Sequence, residues 1–179
     1  VVFIDINLLT SQIDETILEN KITKKTKALI VPHLYGQSAE IEKIKKICKK
    51  KKIYLVEDCA ESFGCFFNKK HLGTFGEIGT FSFFGSKTIT TGEGGMVVTS
   101  NKKLADKINK LKTQGVVRKK NDYWHDIIGY NYRMTNICAA IGLAQLEKRD
   151  LILKKKNNVF DFYKRELNND NIRMNLVIK

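Results

Sequence analysis

The sequence predicts an α/β fold built on a mostly parallel sheet. Two apolar runs, Ala28-Leu29-Ile30-Val31 and Ile53-Tyr54-Leu55-Val56, have the length and continuity of strands covered on both faces. Between them, Ile41, Ile44, Ile47 and Cys48 fall on one helical stripe. A strand, a helix and a second strand in that order form a crossover, which joins parallel strands.

The remaining elements follow from local chemistry. Val1-Val2-Phe3-Ile4-Asp5-Ile6 reads as a short apolar strand entered in mid-course. It has no basic stretch and no cleavage site, so a signal peptide is not expected. Asp14 can open a short helix over 14–21, and Ser38 can cap the helix that runs to about Lys50. After Glu57 the texture changes, with Gly64, Gly73, Gly76, Gly79, Gly85, Gly92, Gly94 and Gly95 close together. Strand-like pieces at 80–84 and 96–99 lie among them. Asn101 caps a helix carrying Leu104, Ile108 and Leu111. Residues 115–130 read as a polar and aromatic loop. A helix starts near Asn136 with Cys138, Ile141, Ala144 and Leu146 turned inward. A long charged helix covers 147–167, and a last strand is expected near Arg173.

Composition narrows the class of function. With 179 residues and 42% hydrophobic content, the chain can bury a core. The formal charge of +13 invites a nucleic-acid reading. That reading is weak, because the charge is mostly lysine placed on expected solvated faces: Lys43, Lys45, Lys46, Lys49 to Lys52 and Lys154 to Lys156. Arginine forks and aromatic platforms do not interleave with these runs, so no nucleic acid is expected as a partner. No apolar run approaches a membrane span, so no membrane partner is expected either. Cys48, Cys59, Cys65 and Cys138 form no CxxC pair and match no zinc spacing. Cys48 and Cys138 fall on expected helices beside apolar residues, so buried thiols there and a reducing cytoplasm are expected.

Two residues stand out chemically. Asp58 follows the strand 53–56, which puts a carboxylate at the carboxyl edge of the sheet, where ligands gather; taken alone, it reads first as a helix-capping or loop carboxylate. Lys87 sits in Phe81-Ser82-Phe83-Phe84-Gly85-Ser86-Lys87, between apolar strand-like segments and unlike the chain's surface lysines. One cofactor uses both groups. Pyridoxal 5'-phosphate is held by a lysine amine and needs an acid partner at its pyridine nitrogen. The carboxylate keeps that nitrogen protonated, and partial burial lowers the lysine toward its working range.

Longer stretches sharpen this. VEDCAESFG, LGTFGEIGTFSFFGSKTITTGEGGMVVT and IGYNYRMTNICAAIGLAQLE, with VPHLYGQ and VVFIDI, are similar to motifs of the DegT/DnrJ/EryC1/StrS sugar aminotransferases. The resemblance implies a type I aminotransferase fold. Residues 1–150 would be part of the cofactor-binding large domain, and 151–179 the start of a C-terminal small domain. It implies that this chain matches the central part of a longer protein, with a Gly-Thr phosphate turn and a ring-stacking aromatic in a preceding segment.

By the same resemblance, Lys87 carries the cofactor and shuttles the proton, and Asp58 pairs with the pyridine nitrogen. Glu61 stands near the ring hydroxyl, where many members have Gln. Ser82 binds the phosphate, and Asn131 reaches the phosphate of a neighbouring subunit's cofactor in a homodimer. Some sugar dehydratases of the family carry His in place of the lysine, so Lys87 implies amino transfer. His33, Trp124, His125 and Arg133 are weaker candidates for substrate contact, with packing an equal explanation. FFGSKTITTGEGGM with YWHDIIGYNYRMTNI is most similar to members acting on GDP-linked 4-keto-6-deoxymannose at C4, with glutamate as donor, in O-antigen sugar biosynthesis. A UDP- or dTDP-linked keto sugar, or a regulatory relative that binds the cofactor without catalysis, stays open.

Overall fold

The computed structural model describes residues 1–119 and 122–167, together with 172 and 174. In chain order its elements are α1 (Leu18–Lys21), β1 (Ala28–Pro32), a single 3-10 turn (Leu34–Gly36), α2 (Ile41–Lys51), β2 (Tyr54–Asp58), β3 (Phe66–Phe67) and β4 (Lys70–His71). Then come β5 (Ile78–Ser82), β6 (Gly95–Val98), α3 (Lys102–Lys112), β7 (Val116–Lys119), β8 (Asp122–His125), α4 (Asn136–Glu147) and α5 (Arg149–Glu166). The main sheet has the order β1-β2-β5-β6. β1, β2 and β5 are parallel, and β6 returns antiparallel to β5. The expected α/β class and mostly parallel sheet are therefore present.

The core follows from the periods of strand and helix. Leu29 and Val31 of β1, Leu55 of β2 and Phe81 of β5 point to one face of the sheet and are buried there. Ile41, Ile44 and Cys48 of α2 belong to the same cluster, as does Leu18 of α1. The outer side of α2 carries exposed lysines. Lys43 pairs with Glu15 at 3.2 Å and Lys50 with Glu19 at 3.1 Å, so part of the basic run is a solvated, locally paired face. The helix ends where Lys52 turns left-handed (φ 55°) and its N–H bonds back to Cys48 and Lys49.

Several expectations are corrected. The strands are covered on one face only: Ile30 and Tyr54 are each 65% exposed. Residues 1–6 form no strand, and only Ile6 makes a bridge, to Ile13. Asp14 binds the Thr16 N–H and hydroxyl, a local turn that postpones the helix to Leu18. Ser38 turns its hydroxyl to the Ala39 carbonyl, and α2 starts after Glu40 without a side-chain cap. The stretch 115–130 contains a hairpin, β7–β8, because its Val and aromatic residues favour pairing. Asn101 does cap α3, accepting the Leu104 N–H at 3.2 Å. On α4 the inward stripe is Cys138, Gly142 and Gln145, while Ile141, Ala144 and Leu146 are exposed. The strand expected near Arg173 lies outside the described residues.

Candidate active site

The sheet sets the first two groups. Asp58 is the last residue of β2 and faces Thr80 of β5, and Ser82 is the last residue of β5. Side chains alternate, so Asp58, Thr80 and Ser82 share the open face, opposite Leu55, Glu57 and Phe81. Ser82 lies two residues beyond Asp58's partner, about 6.6 Å farther along the strand direction. Both ends belong to the carboxyl edge of the parallel part of the sheet. Asp58 Oδ1 accepts the Ala60 N–H at 3.0 Å. Among the described residues its Oδ2 takes no hydrogen bond. Ser82 Oγ accepts the Phe84 N–H at 3.4 Å, which leaves its own proton for a ligand.

Lys87 lies on the turn that leaves this edge and is half-buried. Its N–H donates to the Phe84 carbonyl at 2.9 Å. The base of the turn is closed by Phe83, whose carbonyl accepts the Thr91 N–H at 2.9 Å and the Thr90 hydroxyl at 3.0 Å. Ile89, 3% exposed, anchors it from below. Gly92 has φ 81°, and a Cβ built there would meet nothing within 4 Å. The turn thus has open space beside it.

Glu61 and Asn131 lie differently. Glu61 is exposed, and its Oε2 accepts the N–H of Tyr35, whose backbone is left-handed (φ 57°). Asn131 is exposed and forms a bridge to Thr113. It borders a cavity of about 940 Å³ with Thr80, Gly95, Val97, Arg133 and Met134. Asp58, Ser82 and Lys87 do not line that cavity. The fold therefore brings Asp58, Ser82 and the turn of Lys87 to one edge, while Asn131 lines a cavity that also touches Thr80 and Gly95, the register partners of Asp58 and Ser82.

The weaker candidates separate too. His33 is 1% exposed and belongs to the core, not to a surface that meets substrate. His125 Nδ1 contacts the Gln114 carbonyl at 2.8 Å, and Trp124 is exposed on the hairpin.

A buried network under the site escapes a reading from composition. Glu57 precedes Asp58 and points to the opposite, covered face with no exposure. Its Oε1 accepts N–H groups of Phe75 (2.6 Å) and Gly76 (2.7 Å), and its Oε2 accepts Gly73 (2.8 Å) and His33 Nε2 (3.2 Å). His33 Nδ1 accepts the Ala39 N–H, so its proton sits on Nε2. Burial pushes the Glu57 carboxyl up, but the bonds from His33, Gly76 and Gly73 outweigh it and hold the group below the ordinary range. The legible signal was a carboxylate one residue before Asp58, which strand period sends inward.

His33, Glu57 and Cys59 bring ligand-type atoms within 4.8 Å of one another. The set does not suit a cation. Both His33 nitrogens and both Glu57 oxygens are engaged, and burial pushes the Cys59 thiol up to about 12. Burial also raises Cys48 to about 11 and Cys65 upward, so these thiols stay protonated and unreactive.

Comparison with known proteins accords with this geometry. Residues 1–178 match the DegT/DnrJ/EryC1/StrS aminotransferase family. The chain is 52% identical over 167 residues to GDP-perosamine synthase of Escherichia coli O157:H7, covering 93% of this chain and 46% of that protein. Helicobacter pylori PseC, an aminotransferase of pseudaminic acid biosynthesis, superposes with a TM-score of 0.91 at 33% identity, over 94% of this chain and 46% of PseC. The E. coli GDP-4-keto-6-deoxy-D-mannose-3-dehydratase with bound hydrated PLP gives 0.87 at 31% identity, over 94% and 47%. The chain spans about half the length of the curated relatives it matches. Its sheet, its cofactor-type motifs and these matches agree: the chain belongs to the DegT/DnrJ/EryC1/StrS aminotransferase family.

Proposed function

We propose that the full-length protein transfers an amino group from glutamate to C4 of GDP-4-keto-6-deoxymannose, giving GDP-perosamine for O-antigen synthesis in the cytoplasm. The observation that carries this reading is Lys87 on a turn at the edge that also presents Asp58 and Ser82. The likeness to GDP-perosamine synthase supports the choice of sugar. Lysine at 87, where some dehydratases of the family have histidine, favours amino transfer over dehydration. No helix among the described residues is long and apolar enough to cross a membrane.

Pyridoxal 5'-phosphate suits these donors: a carboxylate with a free oxygen, a hydroxyl with a free proton, and room beside Gly92. When bound, it supplies an electron sink for the carbon that loses its proton. Asp58 keeps the pyridine nitrogen protonated by opposite charge. Ser82 would donate to the phosphate, and the second oxygen of Glu61 would serve the ring hydroxyl. Lys87 would hold the cofactor through its amine and, once that amine is free, would move the proton. Asn131 serves the partner's site in a homodimer. Residues 1–150 belong to the large domain, and 151–179 begin the small one.

The test is turnover by the full-length protein with glutamate and GDP-, UDP- or dTDP-linked 4-keto sugars, read by mass. An amino sugar is expected from the GDP substrate above the others. Borohydride should fix the cofactor on the peptide containing Lys87. Transfer to none of these sugars, or fixation on another lysine with Lys87 unmodified, overturns the reading.

A further inference from the structure

The turn that bears Lys87 is exposed at its tip: Phe84, Gly85 and Ser86 are all open to solvent. Its internal bonds close the base around Phe83 and leave the Thr90 N–H pointing away from the turn. That N–H is met from a distant part of the chain. Gln145 Oε1, in the last turns of α4, accepts it at 3.1 Å, across 55 residues of sequence.

Two further contacts seat α4 on the same turn. A Cβ at Gly142 would lie 2.6 Å from Thr91 Cγ2, and a Cβ at Gly94 would lie 3.1 Å from Met134 Cε just before the helix. Glycine inside a helix weakens it relative to alanine. Gly142 is therefore explained by close approach to the turn, not by helix formation. Gly142 and Gln145 lie three apart, on one side of the helix. The apolar residues Ile137, Ile141 and Leu143 point elsewhere, so this contact does not depend on burying an apolar stripe.

We propose that Gln145 is a positioning residue: it holds the Thr90 amide and thereby sets the turn from which Lys87 meets the cofactor. This rests on the assignment of Lys87 as the cofactor lysine. Gln145 touches neither cofactor nor substrate. It acts by satisfying a backbone donor that the turn cannot satisfy itself, at a place where only Thr88 and Ile89 separate that donor from Lys87. A free Thr90 N–H would let the turn take other conformations, and Lys87 would reach the reacting carbon in only a fraction of them.

Two variants of the full-length protein test this. Gln145→Glu keeps an acceptor at the same reach. Gln145→Leu keeps bulk and removes it. Amide exchange at Thr90 reads the contact directly, and the rate of borohydride-trapped pyridoxal phosphate at Lys87 reads its consequence. In Gln145→Leu, exchange at Thr90 should quicken and trapping at Lys87 should slow, each by about tenfold. Gln145→Glu should stay near the unmodified protein in both. Exchange at core amides such as Ile44 should be unchanged, which a loss of overall stability would not allow. If Gln145→Leu does not fold, Gly142→Ala replaces it: a better helix former that drives α4 off Thr91, with the same slowing expected. Trapping at Lys87 in Gln145→Leu at the normal rate overturns the proposal, and so does failure of Gln145→Glu alongside Gln145→Leu. If the unmodified protein traps the cofactor on another lysine, the assignment of Lys87 fails, and this proposal with it.

Discussion

Asp58 and Glu57 are neighbours in sequence that the strand sends to opposite sides of the sheet, and their chemistry diverges accordingly. Asp58 looks onto the open face with one oxygen free. Glu57 is sealed among four donors. Asp58→Asn keeps the shape and removes the charge that would hold a pyridine nitrogen protonated. Cofactor affinity in the full-length variant should fall only in part, while amino transfer falls by about a hundredfold or more, the range for a lost electrostatic stabiliser. Near-normal turnover would mean that the carboxylate serves only the Ala60 N–H. Glu57→Ala strands buried N–H groups of Gly73, Phe75 and Gly76 and should lower stability by about 3 kcal/mol or more, measured by denaturant unfolding. The pH dependence has a definite sign. The folded carboxyl lies below its ordinary value of 4.5. Its contribution is thus complete above that value and is lost as pH falls through the lower folded value. Thermal midpoints recorded downward from pH 5 should drop, and Glu57→Gln should flatten part of that drop.

At the scale of elements, local signals succeeded where one residue acts on its own backbone or on one helical face. Asn101 capped α3 as its side chain dictates, and Asn101→Ala should cost about 1 kcal/mol in unfolding free energy. Ile41, Ile44 and Cys48 marked the buried stripe of α2. The same signals failed where competition is local or the partner is remote. Asp14 and Ser38 had nearer groups to bind than a helix N-terminus. Ile30 and Tyr54 read as doubly covered, but pattern alone cannot say which faces this stretch of chain covers by itself. In α4 the apolar residues suggested an inward stripe, whereas Gly142 and Gln145 face the protein because the turn at 90–94 comes too close for larger groups. Of the proposed site residues, Asp58 and Lys87 were singled out by strand ends and flanking apolar residues. Ser82, Glu61 and Asn131 were legible only through long motifs, since a serine, a glutamate or an asparagine alone carries no comparable signal.

On the scale of the whole molecule, the question is whether one chain can complete a site. Asn131 lines a cavity that Asp58, Ser82 and Lys87 do not border, although Thr80 and Gly95, the register partners of Asp58 and Ser82, do. Next to it in the chain Tyr132 is 73% exposed and stacks on Tyr130, and Ile137 and Leu143 of α4 are exposed too. Exposed apolar residues of this kind would suit an interaction face. A twofold pairing is the commonest way for identical chains to share one. If Asn131 serves the partner's cofactor, each site needs Lys87 from one chain and Asn131 from the other. Lys87→Ala and Asn131→Ala chains, each of low activity in a full-length background, can then be mixed. A mixed dimer has one site lacking both residues and one site with both intact. Random exchange between equal amounts makes half of the dimers mixed, so activity should return to about one quarter of normal, as expected for isologous pairing. Activity that stays at the level of the separate variants, after exchange is shown with differently tagged chains, would place Asn131 in its own chain's site or in none.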